Sequence, residues 1–158
     1  MRVYIIQHAH AIPRADNPPV RTLSDTGIEE TRRLANILNG DGATVHRIMH
    51  VGTDWTKDNA EKLAKFLDSD ARVIQTPYPL TKDGSLDAFI DDLFTTSDDV
   101  AIAAPADVAM RSVTRLLTGR EEPLIPAKSS GLCSCLERRD DGTWMLLWMV
   151  RPEHLPAL

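Results

Sequence analysis

Residues 2–25 read RVYIIQHAHAIPRADNPPVRTLSD, and the order of residue types along that stretch decides the fold class. Arg2–Gln7 (RVYIIQ) is rich in β-branched and aromatic residues and reads as a buried strand. The next 14 residues, HAHAIPRADNPPVR, hold three prolines and no periodicity, so they read as a loop. A loop of that length suits a binding or active site better than a simple connection. Leu23-Ser24-Asp25 then enters a helix, with Ser24 as N-cap and Asp25, Glu29 and Glu30 placing negative charge in its early turns. Ile28, Thr31, Leu34, Ala35 and Leu38 recur at helical spacing, and Gly40 and Gly42 end the run.

The same alternation continues outward. Arg47–Val51 reads as a strand, and Thr53 or Asp54 caps a helix striped by Ala60, Leu63, Ala64 and Leu67. Arg72–Thr76 is a short strand stopped by Pro77 and Pro79. Leu86, Phe89, Ile90, Leu93 and Phe94 mark a further amphipathic helix, and Val100–Ala104 a small-residue buried strand. Pro105 opens the next helix and Gly119 ends it. Leu132–Arg139 and Thr143–Val150 flank Asp140-Asp141-Gly142, which predicts a hairpin closed by a tight primed turn. Trp144 and Trp148, four residues apart, are expected on one face of its second strand as core or sheet-cover residues, with a dimer contact around the intervening Leu146 as the alternative. The tail RPEHLPAL reads as an extended end. The expected architecture is an α/β domain spanning 1–158, with a mostly parallel central sheet, helices on both faces and a C-terminal β-hairpin.

Composition supports this. The 158 residues carry 18 Lys+Arg against 23 Asp+Glu, a net charge of −5, with 42% hydrophobic residues. A chain of roughly this length buries about 68–70% of its unfolded surface without a disulfide or metal staple. An acidic chain lacks the basic footprint of a nucleic-acid binder. No apolar run approaches the roughly 20 residues of a membrane span, and no secretory leader is visible, so a cytoplasmic protein is expected. Cys133 and Cys135, at i and i+2 of one strand, have parallel Cβ vectors and are expected as reduced thiols.

In open α/β sheets ligands sit beyond the carboxyl ends of the strands. That rule selects Gln7-His8-Ala9-His10, Val51-Gly52-Thr53 and Ala103-Ala104-Pro105. His8, at the end of a buried strand, is a candidate general base or nucleophile, against the plainer reading of a half-buried, hydrogen-bonded imidazole. His8-x-His10 offers two ligands, too few for a closed metal site, and neither metal nor cofactor is expected. Arg21, just before a helix start, is a candidate anion ligand; Arg14 has no better claim. His46, His50 and His154 read as surface or rim residues.

These pieces together resemble the histidine phosphatase superfamily, and within it the small bacterial phosphohistidine phosphatases of the SixA type. RVYIIQHAHA resembles the family's opening strand and Arg-His-Gly motif, and Val20–Gly27 its helix entry. Arg47–Val51, Leu80–Gly84 and Asp99–Pro105 are similar to later family segments. The resemblance implies a phosphoglycerate-mutase-like fold. It implies a mechanism in which one histidine takes the phosphoryl group while two arginines and a second histidine hold its oxygens, often with a carboxylate as proton donor. His8 keeps the nucleophile position and Arg21 a phosphate-holding one. The first arginine is Gln7, the motif glycine is Ala9, the second arginine falls on Trp55, the acid on Pro79 or Tyr78, and the second histidine on Ala104. Lys57 is the best substitute for a lost cation. Arg111 lies seven residues past Ala104, about 10 Å along a helix, and is too far.

Each change but that at Ala9 removes a charge or a donor, and losing one preorganised oxyanion donor costs on the order of 10²–10³ in rate. The expectation is a phosphatase-fold protein that is catalytically impaired and acts as a binding or regulatory module, with a phosphate-like anion, a phosphoprotein or another protein as partner. The alternatives are an active phosphohistidine or phosphomonoester phosphatase using His8 in a rearranged pocket, and a small-molecule binder on the same scaffold.

Overall fold

The computed structural model describes residues 1–13, 20–122 and 130–155. A six-stranded sheet runs through it. Four strands are parallel: β1 (Arg2–Gln7), β4 (Val45–His50), β5 (Arg72–Gln75) and β6 (Asp99–Ala104). The hairpin β7 (Cys133–Arg138) and β8 (Trp144–Val150) adds to one side, giving the order β5-β4-β6-β1-β7-β8. A separate two-stranded ladder pairs β2 (Ala11–Pro13) with β3 (Arg21–Leu23), so the stretch expected to be loop carries order at both ends.

Alternation along β1 divides the core into two layers. Val3 and Ile5 face one side, where they meet Phe89 and Leu93 of α3 (Asp87–Thr95) and Val108 and Val113 of α4 (Ala106–Thr118). Tyr4 and Ile6 face the other, against Leu34 and Leu38 of α1 (Asp25–Gly40) and Leu63 of α2 (Asp54–Leu67). Helices therefore cover both faces. Ser24 caps α1 as expected, accepting a hydrogen bond from the Gly27 N–H at 3.1 Å. Phe94 leaves its expected stripe and stands 49% exposed at the end of α3. Cys133 and Cys135 are both buried in the α1–α2 layer as free thiols.

The hairpin differs from expectation twice. Arg139 N–H donates to Thr143 O and Gly142 N–H to Arg139 O, which leaves three residues in the loop and only Gly142 at positive φ, +82°. A primed turn needs positive φ at its first central residue. Here Asp141 instead accepts from the Thr143 backbone and hydroxyl, and a three-residue loop results. Second, the register shifts between Cys135 and Leu136, whose partners are Trp148 and Leu146. The extra residue, Leu147, is a bulge, and a bulge flips the alternation. Trp144 therefore packs on Phe94 in the α3–α4 layer, while Trp148 packs on Tyr4 in the α1–α2 layer. They do not share a face. The tail also folds: Pro152–His154 forms a 3-10 turn, and Arg33 of α1 donates to the Pro152 and Leu155 carbonyls.

No helix among the described residues is long and apolar enough to cross a membrane.

Candidate functional site

The chain leaves β1 toward α1 on one face of the sheet and leaves the neighbouring β6 toward α4 on the other. Adjacent strands whose connections diverge in this way open a crevice at their carboxyl ends. His8 stands there, its backbone N–H donating to Ala104 O at 3.0 Å.

The His8 ring is half-buried, and its Nδ1 lies 2.9 Å from the Ala9 carbonyl. A carbonyl only accepts, so Nδ1 carries the proton and the neutral ring presents a bare Nε2. Burial lowers the His8 pKa from its ordinary value near 6.5; the Ala9 bond opposes this and the Arg21 charge adds to it. The ring is thus neutral at neutral pH, the state a nucleophilic imidazole requires. The contact uses a backbone carbonyl, so alanine at position 9 preserves it.

Buried polar side chains hold the segment. Ala9 N–H donates to Asn59 Oδ1 at 2.9 Å, and Asn59 Nδ2 donates to Thr31 Oγ1 at 2.9 Å. His10 N–H donates to Glu30 Oε2 at 2.9 Å, while Ser130 donates to the other Glu30 oxygen. The His10 ring bonds Ser24 Oγ at 2.6 Å. Asp58 accepts from Leu23 N–H at 2.9 Å, which fixes the base of β3 and with it Arg21. Asn59, Glu30 and Asp58 were missed by the sequence reading. The signal was present for the first two, polar side chains lying within or beside otherwise apolar helical stripes.

The predicted site residues divide into two groups. Trp55, at the start of α2, meets His8 edge-on with ring centroids 6.1 Å apart. The Arg21 guanidinium lies over the same indole, 5.6 Å from its centroid. His8, Trp55 and Arg21 therefore form one cluster, with buried Gln7, Ala9 and Ala104 at the strand ends beside it. Lys57 does not join it. Two residues past Trp55 is about 200° around the helix, and Lys57 is exposed beside Glu61 at 3.9 Å. Its charge acts on His50, whose pKa is lowered first by burial and then by Lys57. His50 itself is not a rim residue: it is 5% exposed, and its Nδ1 accepts from Gly52 N–H at 3.1 Å.

Pro79 is exposed, and the Tyr78 hydroxyl donates to Asp92 at 3.0 Å in a structural contact with Arg47. Arg111 is committed to the Thr81, Lys82 and Gly84 carbonyls and to Glu121. Arg14 lies outside the described residues.

No protein-family model and no curated protein matches the chain. Solved structures do. The protein histidine phosphatase SixA, solved with tungstate, superposes with a TM-score of 0.81 at 20% identity, covering 99% of this chain and 100% of that one. The Agrobacterium tumefaciens protein assigned as phosphohistidine phosphatase SixA gives 0.73 at 13% identity over 96% and 97%. Phosphoserine phosphatase from Entamoeba histolytica gives 0.63 at 12% over 94% and 95%. At such identities the likeness is one of architecture, and the architecture of this chain is the histidine phosphatase fold.

Proposed function

We propose that this chain is a binding module on the histidine phosphatase fold, keeping a histidine in the phospho-accepting position but lacking most of the charge that hydrolysis requires. The observation that carries this reading is the neighbourhood of His8. An indole and the buried Gln7 and Ala104 stand where the resemblance calls for two arginines and a second histidine, and Arg21 is spread over the Trp55 face. A transferring phosphoryl group needs fixed positive charge at its oxygens. Effects of removing several such donors are not additive, yet even one loss on the order of 10²–10³ leaves little turnover. A phosphate-like anion, free or on a protein, is the ligand class that the remaining His8 and Arg21 suit.

One observation favours a second reading, an active phosphohistidine or phosphomonoester phosphatase. His8 is neutral, with its Nδ1 proton held by Ala9 and Nε2 bare, the tautomer that attack on phosphorus needs. Phosphate release from a phosphohistidine peptide, by the natural chain and by His8→Ala at matched high concentration, separates the two. Equal background release supports the binding module. Turnover that disappears in His8→Ala overturns it in favour of the enzyme.

A further inference from the structure

Helix α1 turns one carboxylate inward. Glu30 is buried on the same face as Gly27, Thr31 and Leu34. A buried carboxylate ordinarily lies against a cation, yet no ion pair among the described residues includes this one. Neutral donors hold its two oxygens instead. Oε2 accepts from the His10 N–H at 2.9 Å, and Oε1 from the Ser130 hydroxyl at 2.8 Å. Gly131 closes over the side chain: a Cβ there would lie 3.2 Å from Glu30 Cβ, and the Gly131 N–H donates to His8 O.

The His10 N–H belongs to the same peptide unit as the Ala9 carbonyl, and that carbonyl accepts the Nδ1 proton of His8 at 2.9 Å. Carboxylate, peptide and imidazole thus stand in series, with a hydrogen bond on each side of the peptide. Hydrogen bonds in series polarise one another, and an anion at one end strengthens them. A peptide whose N–H meets an anion has a more negative carbonyl. That carbonyl holds the Nδ1 proton more firmly and leaves Nε2 richer in electrons. The hydrogen bond at one ring nitrogen decides what the other nitrogen can do.

We infer that Glu30 is a positioning residue for His8, fixing its Nδ1–H tautomer and making Nε2 a stronger acceptor through the Ala9–His10 peptide. This role presupposes the reading of His8 as the group that meets the anion, and it suits a binding module and a phosphatase alike. The surroundings of the ring agree with it. Burial lowers the His8 pKa most, and the Ala9 bond raises it; of the charges, Arg21 of β3 and His10 lower it, and Glu30 of α1 raises it. From α2 the ring meets the uncharged indole of Trp55.

Nitrogen-15 resonances of the His8 ring, followed against pH in the full chain without ligand, test this. The natural chain should show the Nδ1–H tautomer. Glu30→Gln keeps an acceptor for the His10 N–H but removes the charge, and should lower the His8 proton affinity roughly threefold or more. Ser130→Ala leaves the whole carboxylate charge to the His10 N–H and should raise that affinity, a readout that remains where Glu30→Gln does not fold. A carboxylate that only braces the backbone would move neither titration. An Nε2–H tautomer in the natural chain overturns the inference. So does a proton affinity that fails to fall in Glu30→Gln, or fails to rise in Ser130→Ala. A chain that neither binds anions nor releases phosphate would leave these titrations untouched, so the two readings fail separately.

Discussion

His8 is half-buried and held neutral by its surroundings, and that has a cost in acid. The folded chain holds its imidazole pKa below the ordinary value near 6.5, chiefly by burial, and the same holds for His50. The unfolded chain therefore binds more protons as pH falls through about 6.5, so this contribution to stability is complete above that value and lost below it. Denaturation midpoints measured at about pH 7.5 and about pH 5.5 should fall toward acid, and His8→Gln should remove part of the drop while His50 keeps the rest. Trp55 invites a second prediction. It occupies the place where the resemblance puts an arginine, next to His8 and under Arg21. A charge-assisted hydrogen bond contributes about 1.5–3 kcal/mol, so Trp55→Arg should tighten tungstate binding by roughly tenfold or more, measured by calorimetry. Unchanged affinity would mean that position 55 does not face the anion.

At the scale of elements, the first helix decides where the His8 segment sits. A Cβ on Gly27 would lie 2.1 Å from the His10 carbonyl oxygen, so α1 packs on that backbone without room for one methyl group. Gly27→Ala should destabilise the fold by about 1–3 kcal/mol through overpacking, read as a lower urea midpoint with unchanged slope. If the variant is as stable as the natural chain, the close approach is not rigid. The elements also show what the sequence made legible. The β1 strand, the Ser24 cap and the stripes of α1 and α2 were all readable, because each is a local pattern of period two or 3.6. The two tryptophans of β8 were not. Their placement depends on one extra residue, Leu147, which turns an even spacing into opposite faces. The loop after His8 was also read too simply, because the β2–β3 ladder needs only three residues on each side and no periodicity reveals that.

Over the whole molecule, the alternation of strands and helices was enough to fix a layered sheet, and the divergence of the chain after β1 and β6 places His8 in the crevice between them. The chemistry of that crevice was only partly readable. Spacing along the chain suggested Lys57 as a replacement cation, but it stands exposed beside Glu61, and its charge bears on His50. His50 looked like a rim residue because nothing local shows that this strand end is buried. The layered core makes one more expectation. β1 lies between β6 and β7 with helices on both faces, and its residues from Val3 to Ile6 are essentially inaccessible. Its amides should be among the slowest in native-state hydrogen exchange, opening only with global unfolding, whereas those of β5 at the sheet edge should exchange through smaller openings.

The bulge at Leu147 has an optical consequence. The chain holds three tryptophans, and because Trp144 and Trp148 fall on opposite faces, each of the three occupies a different compartment: one packed on Phe94, one on Tyr4, and Trp55 beside His8 under a guanidinium. Replacing any two with phenylalanine leaves a single tryptophan, excited selectively at wavelengths beyond the absorption of the two tyrosines. The chain thus carries three native emission probes, one for each helical layer and one for the crevice, and loss of order in each can be timed separately without attaching a dye.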